Sequence, residues 1–264
     1  MEITAKTLFG LENVLAGELN ELGAKDLQIL NRAVKFFGNE ELLYKSNLWL
    51  RTALKLLVPI HKFRVQSEKD LYLRTKEFKW HELIGPDDTI AVDCSVNSKI
   101  FNHSQYPALV VKDAIVDKLR NKYGKRPDVD RRSPYFTVNL HVYKEDATIS
   151  LDSSGDSLHR RGFRAAQVDA PLNEVLAAGM LQITGWDGKT DLYDPMCGSG
   201  TFSLEALTKA MNIPPGFNRN FGFQNWKDFD KQLWEKITED AQTKRKEPES
   251  RIFTSDINAK AVSV

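Results

Sequence analysis

The chain has 264 residues, a net charge of +1 at pH 7 and 41% hydrophobic residues, which is enough for packed cores in one large domain or two to three smaller ones. This charge balance excludes a global basic field, so nucleic-acid binding has to be argued from local clusters. The two cysteines are far apart, the five histidines show no metal spacing, and no run of about 18 apolar residues occurs, so we expect a cytoplasmic protein with no zinc site, disulfide or membrane partner.

Residues 1–65 predict a small α+β domain. The pattern of "LENVLAGELNELG" places Leu11, Leu15 and Leu19 on one helical face, and "NEELLYKSNLWLR" predicts a second helix. Strand-like runs precede, separate and follow these helices. The resulting order β-α-β-β-α-β matches a ferredoxin-like split unit, and a less specific α+β domain is the alternative.

Residues 66–164 predict a second α+β domain. "EKDLYLRTKEF" is a helix candidate, and "TIAVDCSV" alternates like a strand. In "PALVVKDAIVDKLRNKYG" the residues Val111, Ile115 and Leu119 lie four apart, and Gly124 is a stop signal. The stretch "YFTVNLHVYKEDATISLD" predicts a hairpin that turns at Glu145-Asp146.

Residues 165–264 predict the opening of an α/β domain. A helix in "APLNEVLAAGMLQITGW", with Pro171 in its first turn, precedes the strand "DLYDP", a glycine turn and the helix "TFSLEALTKAM". A second strand, "RIFTSD", ends at Asp256, and "INAKAVSV" starts another helix. This order is typical of a doubly wound sheet. The charged stretch "TKRKEPES" (243–250) predicts a solvated connector.

The glycine turn "DPMCGSGT" (194–201) suggests a ligand-binding loop. A phosphate-binding P-loop needs a lysine directly after its last glycine, but the first lysine after Gly200 is Lys209. A dinucleotide fingerprint needs a third glycine or an alanine, and Phe202 stands in that region instead. A methyltransferase site needs carboxylates for the amino group and ribose of a nucleoside, which Asp194 and Asp256 can supply. A tight turn without a ligand is the alternative.

The wider sequence around this turn resembles the THUMP-domain RNA methyltransferases. The resemblance rests on "DPMCGSGTFSLEAL", preceded by "HRRGFR" and "APLNEVLAAGML" and followed by "NIPPGFNRNFGFQNW" and "SDINAKAV". It is strongest to the bacterial branch that makes N2-methylguanosine in 23S ribosomal RNA, whose members have also been labelled N6-adenine-specific DNA methylases. The resemblance implies a ferredoxin-like domain (1–65), a THUMP RNA-binding domain (66–164) and the N-terminal part of a Rossmann-like methyltransferase domain (165–264).

The resemblance also implies S-adenosyl-L-methionine (SAM) as the cofactor and assigns residues to it. Its cofactor loop corresponds to Asp194, Pro195, Met196, Cys197, Gly198, Ser199, Gly200 and Thr201. The ribose-binding acid corresponds to Asp256, with Ile257 beside the adenine. The 62 positions between Asp194 and Asp256 exceed the roughly 20 of a dinucleotide fold, and the family carries an insertion here.

The family's catalytic tetrad, Asn or Asp followed by Pro-Pro-Tyr or Pro-Pro-Phe, is not among these residues. "NIPPGF" (212–217) contains Pro-Pro but precedes the second strand. We therefore assign no catalytic residue and expect the N-terminal portion of a longer enzyme, inactive alone. The tetrad positions the amine for direct methyl transfer, which implies no metal and no covalent enzyme intermediate. Cys197 has no activating base in the sequence, so a small side chain in a tight turn is favoured over a nucleophile.

A basic cluster could form an RNA-contacting surface, and the resemblance to the THUMP-domain family implies RNA, most specifically ribosomal RNA, as the partner. Between Lys99 and Arg132 nine residues are basic and four acidic, with tyrosines interleaved for stacking. The predicted phosphate-contacting residues are Lys112, Lys118, Arg120, Lys122, Lys125, Arg126, Arg131, Arg132, Arg160, Arg161 and Arg164. A solvated helix face is the structural alternative. For the whole chain the alternatives are an RNA-binding module without catalysis and an adenine-N6 DNA methyltransferase.

Overall fold

The computed structural model describes residues 1–125, 128, 130, 134–162 and 172–262. The chain forms two compact units that are discontinuous in sequence. The first unit contains the described residues of 1–56, 156–220 and 230–264, and the second those of 57–155 and 221–229. The two compact units thus do not coincide with the three consecutive domains predicted from the sequence. The three-domain division stays a prediction about sequence segments.

The N-terminal segment has the predicted order β-α-β-β-α-β. Its elements are β1 (Glu2–Lys6), α1 (Glu12–Glu21), β2 (Lys25–Leu30), β3 (Ala33–Phe37), α2 (Glu40–Trp49) and β4 (Lys55–Arg64). Strand β3 pairs antiparallel with both β1 and β2. Leu15 and Leu19 of α1 are completely buried, as the helical pattern predicts. Strand β4 carries the chain from the first unit into the second.

The second unit is a four-stranded sheet covered by helices. Its elements after β4 are α3 (Glu68–Glu77), α4 (Trp80–Leu83), β5 (Ile90–Asn97), α5 (Gln105–Tyr123), β6 (Phe136–Tyr143) and β7 (Asp146–Asp152). Strand β7 pairs antiparallel with β4 and β6, and β5 pairs parallel with β6. Val111, Ile115 and Leu119 of α5 pack into its core, and Gly124 ends the helix in the left-handed conformation.

Two local predictions for this unit differ from the structure. The β6–β7 hairpin turns at Lys144-Glu145, one residue before the predicted Glu-Asp turn, and Lys144 adopts a positive φ of 56°. The four-residue helix α4 was not predicted; its Trp80 is completely buried and donates from Nε1 to the Thr75 carbonyl oxygen at 2.7 Å. The hairpin loop has two residues because Tyr143 pairs with Asp146 across the strands. Helix α4 is too short for a periodic pattern to reveal it.

The C-terminal segment supplies the remaining elements. These are α6 (Glu174–Ile183), β8 (Leu192–Asp194), α7 (Thr201–Ala210), a 3₁₀ turn (Gly222–Asn225), α8 (Lys231–Thr243), β9 (Ile252–Thr254) and α9 (Ala259–Val262). The side chain of Asn173 caps α6 by accepting from the N–H groups of Val175 and Leu176. Pro171, predicted in the first turn of this helix, lies outside the described residues. The 3₁₀ turn belongs to the second unit, and the other elements belong to the first.

Candidate cofactor-binding site

Asp194 and Asp256 lie at the same end of a small parallel sheet. Strands β8 and β9 pair in parallel, with Leu192 opposite Ile252 and Asp194 opposite Thr254. Asp194 is the last residue of β8, and Asp256 follows the end of β9 by two residues. Because the carboxyl ends of parallel strands meet at one edge, this is where α/β folds bind their ligands.

The loop between β8 and α7 uses two glycines in the left-handed region. Gly198 has a φ of 54° and Gly200 a φ of 78°, values that L side chains rarely adopt. A Cβ added at either position would have no heavy atom within 4 Å. Neither glycine is therefore required by close packing against the protein. The open space leaves the loop backbone accessible to a ligand.

Backbone hydrogen bonds tie this loop to the second strand. The N–H of Cys197 donates to the Ser255 carbonyl oxygen at 3.0 Å, and the N–H of Ser255 donates to the Asp194 carbonyl oxygen at 3.0 Å. The hydroxyl of Ser203, in the first turn of α7, donates to Oδ2 of Asp194 at 2.8 Å. The loop is thus fixed on one side by β9 and on the other by α7.

The Asp256 carboxylate accepts two backbone hydrogen bonds. The N–H of Asn258 donates to its Oδ1 at 2.8 Å, and the N–H of Gly198 donates to its Oδ2 at 2.8 Å. These two donors lower the pKa of Asp256 below its ordinary value. The side chain is therefore an ionised acceptor at neutral pH. It is held against the glycine loop, where it can also accept from ligand hydroxyls.

The other predicted cofactor residues differ in exposure. Met196 is 84% exposed and Ile257 is fully exposed, so both are free to contact a ligand. Pro195 is exposed, Ser199 is half-buried, and Thr201 is buried as the first residue of α7. Burial and the charges of Asp194 and Asp256 raise the pKa of the Cys197 thiol, which disfavours the thiolate that a nucleophile requires.

Most of the described cations of the predicted RNA surface are paired with carboxylates. These ion pairs are Lys112–Asp113, Arg120–Asp117, Lys125–Asp87 and Arg160–Asp156. Lys118 and Lys122 of α5 form no ion pair with any described residue, and Lys122 is exposed. The remaining predicted residues, Arg126, Arg131, Arg132 and Arg164, lie outside the described part of the chain. Among the described residues of this predicted surface, Lys118 and Lys122 are therefore the cations without a carboxylate partner.

Arg161 does not belong to an RNA-facing surface. Its side chain is 3% exposed, and its Nε donates to Oε1 of Glu205 at 2.9 Å. Its two terminal nitrogens donate to the carbonyl oxygens of Leu158 and Arg51, at 2.7 and 2.5 Å. A guanidinium that is buried and paired in this way cannot reach a phosphate. The prediction that Arg161 contacts RNA is corrected accordingly.

The sequence reasoning also missed Arg51 and Glu205, which are buried beside Arg161. Arg51 donates to Oε2 of Glu205 at 3.4 Å and to the Thr208 hydroxyl at 3.0 Å. Burial lowers the pKa of Arg51, and the charge of Glu205 opposes this shift. Glu205 sits among apolar residues of α7, and a lone acid at a buried helix position is a signal for a buried cation partner.

The segment "NIPPGF" packs as a structural turn. Pro214 and Pro215 are buried, and the N–H of Gly216 donates to the Leu48 carbonyl oxygen at 3.0 Å. That this segment is not the catalytic tetrad stays a prediction. Within the described residues, no three His, Cys, Asp or Glu side chains are grouped to hold a metal ion. No helix of the described chain is long and apolar enough to cross a membrane.

Three family models match the chain in succession. They are described as the RlmL ferredoxin-like domain (residues 2–57), the THUMP domain (65–152) and the RMKL-like methyltransferase domain (161–264). A protein of Synechocystis sp. named "Putative RNA methyltransferase slr0064" is 43% identical over 233 residues, which cover 88% of this chain and 61% of that protein. The chain thus spans less than two thirds of the length of this relative.

Several solved structures match nearly the whole chain, among them the following two. The crystal structure of SMU.472 complexed with SAH has a TM-score of 0.86 and 31% identity, covering 99% of this chain and 70% of that one. A structure titled as a predicted N6-adenine-specific DNA methylase from Listeria monocytogenes has a TM-score of 0.86 and 30% identity, covering 99% and 69%. The fold of the described residues is therefore shared with these two proteins.

Proposed function

Because the chain belongs to the THUMP-domain RNA methyltransferases, a family of SAM-dependent enzymes, we propose that it binds SAM at the β8–α7 loop and RNA through its THUMP domain. The single observation that carries the cofactor proposal is the position of Asp194 and Asp256 beside an open glycine loop, at the carboxyl ends of paired parallel strands. The relative solved with SAH supports the same ligand class.

The residues present fit this cofactor. Asp256 is ionised and can accept from both ribose hydroxyls, as an acid at this strand end does in nucleoside-binding folds. The positive-φ glycines have no Cβ, so the ligand can approach the loop backbone. The exposed Ile257 offers an apolar surface beside the acid. When bound, SAM supplies an electrophilic methyl group on its sulfonium.

For the substrate we propose the exocyclic N2 of guanine in 23S ribosomal RNA. The support is the resemblance of the loop and its flanking motifs to the bacterial guanine-N2 branch, together with the match to a THUMP domain. The name of the Listeria relative favours an alternative, the N6 of adenine in DNA. The chain's own contribution is to bind and orient the cofactor and the RNA. We assign no catalytic residue.

Calorimetric titration with S-adenosylhomocysteine (SAH) tests the cofactor proposal. We expect Asp256→Asn to weaken binding by about tenfold or more, because a charged acceptor of two hydroxyl hydrogen bonds is replaced by a weaker neutral one. Asp240→Asn on α8 is the matched control, since this aspartate is exposed and, among the described residues, forms an ion pair only with Lys244. The proposal fails if the parent chain is folded and binds no SAH, or if both variants bind alike.

The pH dependence provides a second check on the same site. The pKa of Asp256 is depressed, so its carboxylate stays charged as the pH falls and loses its charge only below the ordinary range of an aspartate. We therefore expect the SAH affinity of the parent chain to change by less than about twofold between pH 7 and pH 5. A steep loss of affinity over that interval would contradict the assigned role of Asp256.

A further inference from the structure

We propose that Arg51 and Arg161 are positioning residues that hold helix α7, and with it the cofactor loop, through Glu205. This inference rests on the proposed cofactor site. Helix α7 begins at Thr201, directly after the glycine loop, and Glu205 lies one turn into it. Any shift of α7 along or about its axis would therefore displace the loop that precedes it.

Arg161 fixes the middle of this helix. Its Nε and the Glu205 Oε1 atom lie 2.9 Å apart, and both side chains are 3% exposed. The other guanidinium donors bond to the carbonyl oxygens of Leu158 and Arg51. Because the guanidinium is planar and each bond uses a different nitrogen, its orientation is set on three sides. Glu205 is thereby held at a defined place relative to the N-terminal segment.

Arg51 fixes the end of the same helix. Its NH1 donates to Oε2 of Glu205 and to the Thr208 hydroxyl, at 3.4 and 3.0 Å. Its NH2 donates to the carbonyl oxygens of Thr208 and Ile213, at 3.1 and 2.6 Å. The Thr208 carbonyl oxygen also accepts from the Ile213 N–H at 2.8 Å, and a cation near the helix C-terminus complements the helix dipole. Arg51 follows α2, so the ferredoxin-like segment provides this contact.

Helix α6, which packs on α7, is held by the same segment. Oε1 of Glu18 accepts from the Arg51 backbone N–H and from Nε2 of Gln182 on α6, both at 2.9 Å. A Cβ added to Gly179, also on α6, would lie 2.6 Å from Leu11 of the N-terminal segment. The N-terminal segment thus contacts both helices that flank β8 in the sequence. The N-terminal segment therefore supports the helices on both sides of β8 and its cofactor loop.

The chemistry of the cluster favours positioning over stability alone. Two guanidiniums and one carboxylate are removed from water here, and the desolvation cost of such groups often equals or exceeds their attraction. Apolar residues would pack the same space at no such cost. A charged network instead specifies one register between its helices, because any slip would leave a buried charge unpaired. The hydrogen bond from Ser203 of α7 to Asp194 then links the position of this helix to the cofactor site.

Hydrogen–deuterium exchange of the ligand-free chain tests the inference directly. In Glu205→Gln we expect the backbone amides of 196–204 to exchange about tenfold faster than in the parent, while α5 and β6 stay unchanged. SAH affinity should fall by about tenfold in parallel, within the range of couplings between linked sites. Glu235→Gln on α8 is the matched control, because this exposed acid forms an ion pair only with Lys231 in the part of the chain that the structure describes. The unfolding transition is recorded for each variant.

The outcomes separate this inference from the proposed function. If Glu205→Gln is folded and its loop amides exchange at the parental rate, the inference is wrong, whatever the affinity for SAH. If exchange quickens at the loop but the parent binds no SAH, the positioning contact stands and the cofactor proposal fails. If Glu205→Gln does not fold, the same exchange measurement is made on Thr208→Val, which removes one acceptor of Arg51 and leaves the charges paired. Parental exchange at its loop amides would then contradict the inference. A uniform increase of exchange across the first unit would show a purely structural role.

Discussion

At the scale of single residues, Cys197 illustrates how the surroundings of a side chain decide between two chemical roles. The thiol lies in the loop between β8 and α7, where burial and the charges of Asp194 and Asp256 raise its pKa. Cys94 in β5 has its pKa raised to about 12 by burial and by the charge of Asp93. Neither thiol is activated, because the thiolate is the reactive form and both environments oppose it.

The raised pKa values of the two thiols predict slow alkylation. At pH 8 we expect iodoacetamide to modify Cys197 several-fold more slowly than free cysteine, and Cys94 more slowly still, because the rate follows the thiolate fraction. Mass spectrometry of quenched digests gives both rates, and the urea-denatured chain serves as the control in which both thiols react normally. In Asp256→Asn the rate at Cys197 should rise. Modification of Cys197 at the rate of free cysteine would contradict its assignment as an unreactive loop residue.

At the scale of elements, the helices and strands that could be predicted from the sequence are those whose apolar pattern agrees with their packing. The helices α1 and α5 follow their stripes of buried Leu, Ile and Val, and the loop glycines have the positive φ that their pattern suggests. Helix α8 was not predicted, although Asp230 caps it. Nine of its thirteen residues are polar or charged, but Trp234, Ile237 and Ala241 recur at helical spacing, so the sequence did carry a signal for this helix. Its contact with α2 through Trp234 and Tyr44 is visible only in the folded chain.

The same limit explains the wrong prediction for Arg161. In the sequence, "HRRGFR" is a basic motif, and basic motifs are typical of RNA contacts. Its partner Glu205 lies 44 residues further along and on another element. Only tertiary structure brings the two together, whereas Asp194 and Asp256 could be paired in advance because parallel strands align their carboxyl ends.

The turn that carries this motif provides a stability prediction. Gly162 has a φ of 79°, and an added Cβ would lie 2.6 Å from the Asn218 carbonyl oxygen. Gly185 has a similar φ of 72° but nothing within 4 Å of an added Cβ. We expect Gly185→Ala to cost about 1 kcal/mol through backbone strain alone, and Gly162→Ala roughly 2–4 kcal/mol because strain and a backbone clash combine. Urea denaturation followed by tryptophan fluorescence measures both, and equal losses would contradict the close approach.

At the scale of the whole molecule, the two compact units do not follow the order of the sequence domains. The first unit combines the ferredoxin-like segment with the methyltransferase segment, and residues 221–229 of the insertion join the second unit. The long gap between the two cofactor acids is therefore occupied by folded structure, including α8. This organisation could not be predicted from periodicity, which reports on neighbours along the chain and not on contacts between distant segments.

The second unit provides the last prediction, on the proposed RNA surface. Lys118 and Lys122 of α5 lack an ion pair with any residue that the structure describes, whereas Lys112 and Arg120 are paired with Asp113 and Asp117. Replacing the first two by glutamine should weaken binding to a fluorescein-labelled stem-loop RNA more than replacing the second two. It should also reduce the slope of log affinity against log salt by about 1.4, because each lost phosphate contact removes roughly 0.7 for single-stranded RNA. Fluorescence anisotropy across a salt series measures both effects. Equal losses in the two double variants would mean that general charge, and not these two lysines, attracts the RNA, and unchanged slopes in both would place the RNA away from α5.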